Sequence, residues 1–397
     1  MPRPALHLTR VTAVALALFL EPACERRPAG PSLADHYELE RTIHVAPIEP
    51  FARAPASLLV LPDGRFLLPE TEGVWIHVTG ADGEGITRVG GPSAAALDLP
   101  AAPIGRFRSL SALALLPDGR VLAGDRTAGV VTVFGPDLTP RGRFTLPETR
   151  SVWDLEALPG GRVAAAVAPR HPTAGGQVVL FTLRGDSAES LRLRLPPDPV
   201  FRANRWSPVA STRIESLGDG RLLAWWTTLP WVRSIDAQGD SLPRLGRFSA
   251  RYRSPSSGPR EGAPLERLSR WYASFTPLVA VESAEPTVAF QFLEVARGRA
   301  GRAAGRDRAA PPGGRRGADA DAAAREEDGP AGDEPAAGPR SSFLNLYRAT
   351  GQPIAADLPL PAGARLLASN DLERLYLATS VRPRQLDVEV WRPRARR

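Results

Sequence analysis

A five-residue pattern, Leu-Pro-Asp-Gly-Arg, recurs along the chain, and each copy lies between two apolar runs. Pro presets φ at a turn position and Gly supplies a positive φ, so each copy predicts a strand, a tight turn and a second strand. Two copies are intact, and two carry an extra Gly in place of Asp or Pro. The copies occupy residues 61–65, 116–120, 158–162 and 217–221. The chain is therefore predicted to repeat one β-hairpin.

Each hairpin belongs to a longer unit of four short strands. The second unit shows this best, with predicted strands at 110–116, 120–124, 129–134 and 142–146. Two weaker copies, with turns at 284–286 and 370–373, bring the units to six. Repeats of about 40–45 residues, each a four-stranded antiparallel sheet, are typical of β-propellers. We predict an all-β fold, a six-bladed β-propeller over residues 37–395.

The N-terminal strand supplies the predicted closure of the ring. Residues 37–45 alternate apolar and polar side chains, as a half-buried strand does, but no hairpin partner follows them. The last unit shows only three strands before the chain ends. Pairing the two would close the ring and cover both open sheet edges.

One segment interrupts the repeat. Residues 297–340 contain Ala, Gly, Pro and charged residues without apolar periodicity, with an Arg-rich block followed by an acidic block. Such a composition cannot bury enough surface to order itself, so we predict a disordered insert within blade 5, between its second and third strands. When the insert is left out, the number of residues from Pro286 to Glu373 matches the length of the other repeats. A tolerated insertion and a binding tail both remain open.

The N-terminus has the features of an export signal. Two Arg residues precede the apolar run at 11–20, which is too short to span a membrane, so residues 1–23 are predicted to be a signal peptide. The only cysteine, Cys24, follows directly and resembles the lipidated Cys of a bacterial lipoprotein, although Glu21 stands where that family has an aliphatic residue. The resemblance implies lipidation of Cys24, a tether over 24–36 and a lipid-anchored protein of the periplasm or cell envelope. An ordinary cleaved signal with an incidental Cys is the alternative.

The charge pattern and the cysteine content argue against some kinds of partner and of structural site. All 50 basic residues are Arg, and outside the insert they are interspersed with the 43 acidic residues rather than gathered into a basic patch. We therefore predict no nucleic-acid partner. A single Cys also excludes disulfides within the chain and zinc sites built on cysteine.

The sequence around the turns carries a family resemblance. An apolar strand, Pro-Asp-Gly-Arg, a second apolar strand, Gly and then Val-X-Val-Phe at residues 131–134 resemble NHL-like and TolB-like six-bladed propellers, in particular exported bacterial ones. The resemblance covers residues 37–395. It implies that a ligand would bind near the axial channel.

Aligning the units on the turn Leu brings four charged residues together. Asp154, Glu156, Arg213 and Glu215 fall on one face of two neighbouring innermost strands, since alternate residues share a face. One interpretation is an Arg–carboxylate network that joins the blades, because buried charges are generally paired. The other is a ligand site. Paired carboxylates can also perform acid–base chemistry or hold Ca²⁺.

Two tryptophans are the second set of candidates. Trp206 and Trp271 lie in predicted loops, where they could stack on a sugar or a peptide. Trp225 and Trp226 are adjacent on a strand and so face opposite sides, which favours packing between blades.

The functional prediction is a binding protein rather than an enzyme, because no catalytic or phosphate-binding motif is present. We expect an exported monomer that binds a peptide, a protein partner or a glycan at the channel mouth, without a cofactor. One alternative is a metal-dependent hydrolase or lyase that uses Asp154, Glu156 and Glu215. Resemblance to gluconolactonase-type enzymes would require an Asn at the metal, for which Asn204 is the candidate. The other alternative is a structural scaffold.

Overall fold

The chain is described from a computed structural model. The described residues are 31–70, 73–93, 103–146, 149–169, 177–184, 187–193, 212–226, 232–236, 241–245, 274–281, 286–294 and 341–394. Strands dominate this part of the chain, and short 3-10 turns occur at Leu33–Asp35 and Pro159–Gly161. Among these residues no helix has the length and apolar character needed to cross a bilayer.

The strands follow one another with short connections, as the hairpin repeat predicts. They are β1 (Tyr37–Val45), β2 (Ser57–Val60), β3 (Phe66–Pro69), β4 (Trp75–Thr79), β5 (Gly85–Gly90), β6 (Leu110–Leu115), β7 (Val121–Asp125), β8 (Val130–Phe134), β9 (Pro140–Thr145), β10 (Thr149–Leu158), β11 (Arg162–Pro169), β12 (Gln177–Arg184), β13 (Ser187–Leu193), β14 (Thr212–Ser216), β15 (Leu222–Trp226), β16 (Val232–Ile235), β17 (Ser241–Leu245), β18 (Ser274–Val281), β19 (Thr287–Glu294), β20 (Ser341–Arg348), β21 (Pro353–Pro359), β22 (Arg365–Ser369), β23 (Leu375–Arg382) and β24 (Gln385–Pro393).

Consecutive strands form four-stranded antiparallel meanders. Strands β6–β9, β10–β13, β14–β17 and β18–β21 are separate sheets, and the remaining eight strands form one sheet in the order β1-β24-β23-β22-β2-β3-β4-β5. That larger sheet consists of two four-stranded halves joined by two parallel pairs, Ser57 with Ala368 and Leu58 with Ser369. The predicted all-β fold of four-stranded antiparallel units is confirmed.

The N-terminal strand β1 pairs with β24 from Tyr37 opposite Pro393 to Val45 opposite Leu386, with one register shift between Leu39 and Arg41. Its apolar side chains Ile43 and Val45 are buried against residues of β2, β3, β23 and β24. The half-buried alternation in the sequence therefore matches a strand that covers the edge of the last meander.

The sheets stand side by side and bury apolar side chains between them. For example, Leu122, Val131 and Val133 of one sheet pack against Val163 and Phe181 of the next. The first strand of each meander contacts the first strand of the next, in the series β2, β6, β10, β14, β18, β22 and back to β2. Four-stranded meanders arranged in this way are the architecture of a β-propeller.

The turns show what the Asp, Gly and Arg of the repeated pattern contribute. Gly119 has φ of 83° and its N–H donates to the carbonyl of Leu116 at 2.9 Å, which confirms the tight turn. Asp118 accepts the backbone N–H of Arg120 at 3.1 Å, and the Arg120 side chain donates back to Asp118 at 2.8 Å. The turns at 61–65 and 217–221 repeat both bonds. The side chains of the Asp and the Arg thus stabilise the turn.

Several predicted segments lie outside the described residues: the signal peptide 1–23, Cys24 and the insert 297–340. Strands β19 and β20 nevertheless pair directly, with Glu294 opposite Ser341, so residues 295–340 connect the second and third strands of their sheet. The region predicted as a tether, 24–36, includes the turn Leu33–Asp35, where Leu33 is buried against β20–β24 residues.

We expect Ile43→Ala to lower the free energy of unfolding by about 2–5 kcal/mol, because Ile43 is only 3 % exposed and the change leaves a cavity. The matched control is Thr42→Ala on the exposed side of the same strand, which should change it by less than about 0.5 kcal/mol. Urea denaturation measures both. Equal, small effects would show that β1 is not part of the folded core.

Candidate functional site

A cavity of about 510 Å³ lies among the first strands of five meanders, β2, β6, β10, β14 and β22. The turns after these strands also contribute to its wall, through Pro117, Pro159 and Gly218. Because the turn Leu marks where β2, β6, β10 and β14 end, residues of these strands at equal distances from that Leu reach the cavity together. The cavity is large enough for a side chain or a small organic molecule.

All four charged residues predicted from the alignment line this cavity: Asp154 and Glu156 on β10, and Arg213 and Glu215 on β14. Aligning the units on the turn Leu therefore identified residues that line the same cavity. The other candidates, Trp206, Trp271 and Asn204, lie outside the described residues.

A β-bulge on β10 shapes this wall. The register between β10 and β11 shifts between Val152 and Asp154, so Trp153 is the extra residue. A bulge leaves its residue out of the ladder, and the carbonyl of Trp153 instead accepts a hydrogen bond from Nη1 of Arg213 at 2.9 Å. Strand β6 shifts register at the equivalent place, around Ser111. No Gly or Pro marks either bulge, so the sequence reasoning missed both.

Asp154 binds the neighbouring strand β14. Its Oδ2 accepts the N–H of Ile214 at 3.2 Å and lies 3.9 Å from Nη1 of Arg213. The side chain keeps 18 % of its surface exposed, on the cavity side. Burial nevertheless raises the pKa of Asp154, and the charge of Arg213 and the backbone N–H groups offset only part of that rise.

Glu156, two residues further along β10, binds the same strand. It accepts the N–H of Ser216, so two carboxyls spaced i, i+2 bind N–H groups spaced i, i+2 on β14. Burial raises the pKa of Glu156 well above its ordinary value, and the negative charge of Asp154 raises it further. This arrangement supports the interpretation of a network that joins blades, although most of its bonds go to backbone rather than to Arg.

Two more charged residues, Glu215 and Arg126, lie on or near this wall. Glu215 is almost fully buried, with 2 % of its surface exposed. Arg126 lies near Arg213, and both burial and the charge of Arg213 lower the pKa of Arg126. The residues that line the cavity thus supply three carboxyl groups and one guanidinium, that of Arg213.

Apolar and amide groups complete the lining. Trp225, predicted to pack between blades, does so against Leu217 and Val288 and also contributes to the cavity wall. Asn370 lines the cavity too, and its side-chain amide pairs with the backbone of Val60, accepting at 2.7 Å and donating at 3.0 Å. Asn204 was the only Asn placed near the channel mouth by the sequence reasoning. Asn370 was not among the candidates, although its turn was recognised as the sixth copy of the repeat.

A metal centre is not preformed in this part of the chain. Among the described residues, no three His, Cys, Asp or Glu side chains are arranged to hold a metal ion. The carboxyls of Asp154 and Glu156 instead accept backbone N–H groups.

A second buried acid, Glu70, behaves differently. It accepts hydrogen bonds from the N–H of Ala52 at 2.9 Å and shares one with Nε2 of His77 at 3.1 Å, and both side chains are 2 % exposed. Burial alone would raise the pKa of Glu70, but the bonds from His77 and Ala52 outweigh it and hold the pKa below its ordinary value. This pair lies outside the residues that line the cavity.

Comparison with solved structures shows a similarity of fold alone. No family model matches the chain, and no curated protein matches its sequence. A member of the DUF4221 family from Bacteroides vulgatus is similar in structure, with a TM-score of 0.57 and 7 % identity over 91 % of this chain and 98 % of that one. A predicted exported protein from Bacteroides fragilis has a TM-score of 0.55 and 9 % identity over 92 % and 98 %. The β-propeller domain of Cps50 (Swd1) from Myceliophteria thermophila has a TM-score of 0.42 and 12 % identity over 90 % and 99 %.

We expect Glu156→Gln to stabilise the protein at neutral and alkaline pH. Folding raises the pKa of Glu156, so the free energy of unfolding of the wild type decreases as the pH rises from the ordinary pKa of a glutamate to the raised pKa in the folded protein. Glutamine does not ionise, so the variant shows no such decrease. The free energy of unfolding of the variant should therefore gain on the wild type by at most about 1.4 kcal/mol per pH unit over that window and then level off.

Urea denaturation at a series of pH values measures the difference. The exposed Glu84→Gln is the control and should follow the wild type throughout. A difference that is constant with pH would contradict a raised pKa at Glu156.

Proposed function

We propose that the six meanders are the blades of a closed six-bladed ring of the NHL-like type. Two contacts support this proposal: the first strands contact one another in a series that returns to β2, and β1 adds a fourth strand to β22–β24. Joining the first and last parts of the chain in one blade also covers both open edges.

The second part of the proposal concerns location. The chain is exported as a monomer and anchored to a membrane of the cell envelope through lipidated Cys24, with residues 297–340 as a disordered insert in blade 5. The charged start, the apolar run at 11–20 and the position of the only Cys support export and lipidation.

The third part concerns binding: a peptide, a protein partner or a glycan binds at the mouth of the cavity. The single observation that carries it is the cavity of about 510 Å³ with ionisable groups on its wall. Ligand sites are typically concave, mostly apolar and supplied with a few well-placed polar groups. A scaffold that served only packing would gain stability by filling such a space.

We expect Ala368→Phe to abolish ligand binding, because Ala368 lines the cavity and is partly exposed there, so a ring at this position fills the space. Random-peptide and glycan arrays probed with the wild type and the variant provide the measurement. The control is Thr42→Phe on the outer strand β1, which should bind like the wild type. Binding that survives Ala368→Phe, or no array ligand for the wild type, would contradict a ligand site in the cavity.

We expect the mature protein in the membrane fraction to begin at a lipidated Cys24. Intact-mass spectrometry of that fraction gives the result directly, and Cys24→Ser is the control that should release the protein from the membrane. An unmodified chain that begins at any other residue would rule the anchor out.

A further inference from the structure

The charges on the cavity wall point to one chemical class of ligand. We infer that the group that enters the cavity is an organic cation, the alkylammonium or guanidinium of a peptide side chain, and that Glu156 and Asp154 bind it. This inference rests on the proposed binding function and selects a peptide or protein ligand over a glycan.

The first argument is that the protein's own cation does not serve both carboxyls. Arg213 donates to the carbonyl of Trp153 at 2.9 Å and is 3.9 Å from Asp154. Within the described part of the chain, Glu156 accepts the N–H of Ser216, and no guanidinium pairs with it. A buried carboxyl without a cation is costly to ionise, and a ligand cation would supply the positive charge that favours its ionised form.

The second argument is the distribution of charge around Glu156. Its own strand β10 contributes Asp154, and β14 contributes Arg213 and Glu215. Arg126 lies near Arg213 but is not among the residues that line the cavity. The other lining strands, β2, β6 and β22, contribute only uncharged residues, such as Ser57, Ser111, Ala114, Ala368 and Ser369. The carboxyls therefore outnumber the guanidinium, which favours a cation over an anion.

The third argument is the apolar part of the wall. Leu58, Leu113 and Trp225 line the same space. An alkyl chain can contact such residues while its charged end reaches the carboxyls, as the stems of Lys and Arg do within proteins. A sugar would place hydroxyl groups against these side chains and gain less.

The carboxyls also predict how binding depends on pH. A cation binds the ionised form of Glu156, and in the free protein burial and Asp154 keep the pKa of Glu156 above its ordinary value. Binding should therefore release a proton, and affinity should increase with pH until Glu156 is ionised in the free protein. An anionic ligand would show the opposite trend.

The experiment compares three probes on the full chain by calorimetry: Nα-acetyl-lysine methylamide, its neutral analogue Nα-acetyl-norleucine methylamide, which keeps the four side-chain carbons and lacks the ammonium, and the acidic Nα-acetyl-glutamate methylamide. We expect the lysine probe to bind about ten- to a hundredfold more tightly than the neutral one, since a hydrogen bond to a charged group contributes about that much. Its affinity should increase with pH, and its heat should vary with the ionisation enthalpy of the buffer.

Variants locate the site. Glu156→Gln should weaken the lysine probe by about ten- to a hundredfold and reduce the pH dependence to the part that comes from Asp154, and Glu84→Gln should do neither. Should Glu156→Gln not fold, Asp154→Asn and the wild-type pH profile test the same point. Equal binding of the three probes, tighter binding of the acidic probe, or no binding of the lysine probe at about 10 mM would overturn the inference.

The array experiment with Ala368→Phe separates this result from the proposed function. The array ligands could be neutral, acidic or glycans, and their binding could be lost in the Ala368→Phe variant. That result would support the binding function and overturn the inference that the ligand is a cation. An array without any ligand would overturn the binding function itself.

Discussion

The tight turns of the Leu-Pro-Asp-Gly-Arg repeat set where the first strands β2, β6, β10 and β14 end, and the cavity lies among these strands. In the turn at 116–120, Gly119 adopts a positive φ, Asp118 accepts the N–H of Arg120, and Arg120 donates back to the carboxylate. The turns at 61–65 and 217–221 form the same side-chain bonds, whereas the turn at 158–162 has Gly in place of Asp and contains two glycines with positive φ. Side chains at equal distances before the turn Leu can therefore form one wall, as Asp154 and Arg213 do.

The repeat made the strands, the pairing of the N-terminal strand and the four charged residues of the wall predictable, because a turn of known geometry gives a reference point for counting alternate residues. What it could not predict were contacts that depend on tertiary neighbours. The bulge at Trp153 carries no Gly or Pro signal, and its carbonyl has a partner only because Arg213 reaches across from β14. Asn370 likewise binds Val60, a residue more than three hundred positions away, and local sequence holds no trace of that pairing.

Two buried acids of this fold show how strongly the partner determines the state of a carboxyl. His77 and the N–H of Ala52 hold the pKa of Glu70 below its ordinary value despite burial. Glu156 accepts one backbone N–H and faces Asp154, and its pKa is raised instead. Glu70 has its hydrogen-bond partners within the chain, His77 and the N–H of Ala52, and lies outside the cavity lining. Glu156 lies where a molecule from outside could supply the missing positive charge.

The pairing of Glu294 with Ser341 has a consequence for how this chain can change in length. The two ends of residues 295–340 are fixed side by side by the ladder of β19 and β20, whatever lies between them. Closing a loop between fixed ends costs free energy that grows only with the logarithm of its length, about 0.6 kcal/mol for each doubling. Segments of very different size can therefore be gained or lost at this point with little effect on the blade that carries them, which makes the β19–β20 connection a natural place for a domain to be inserted.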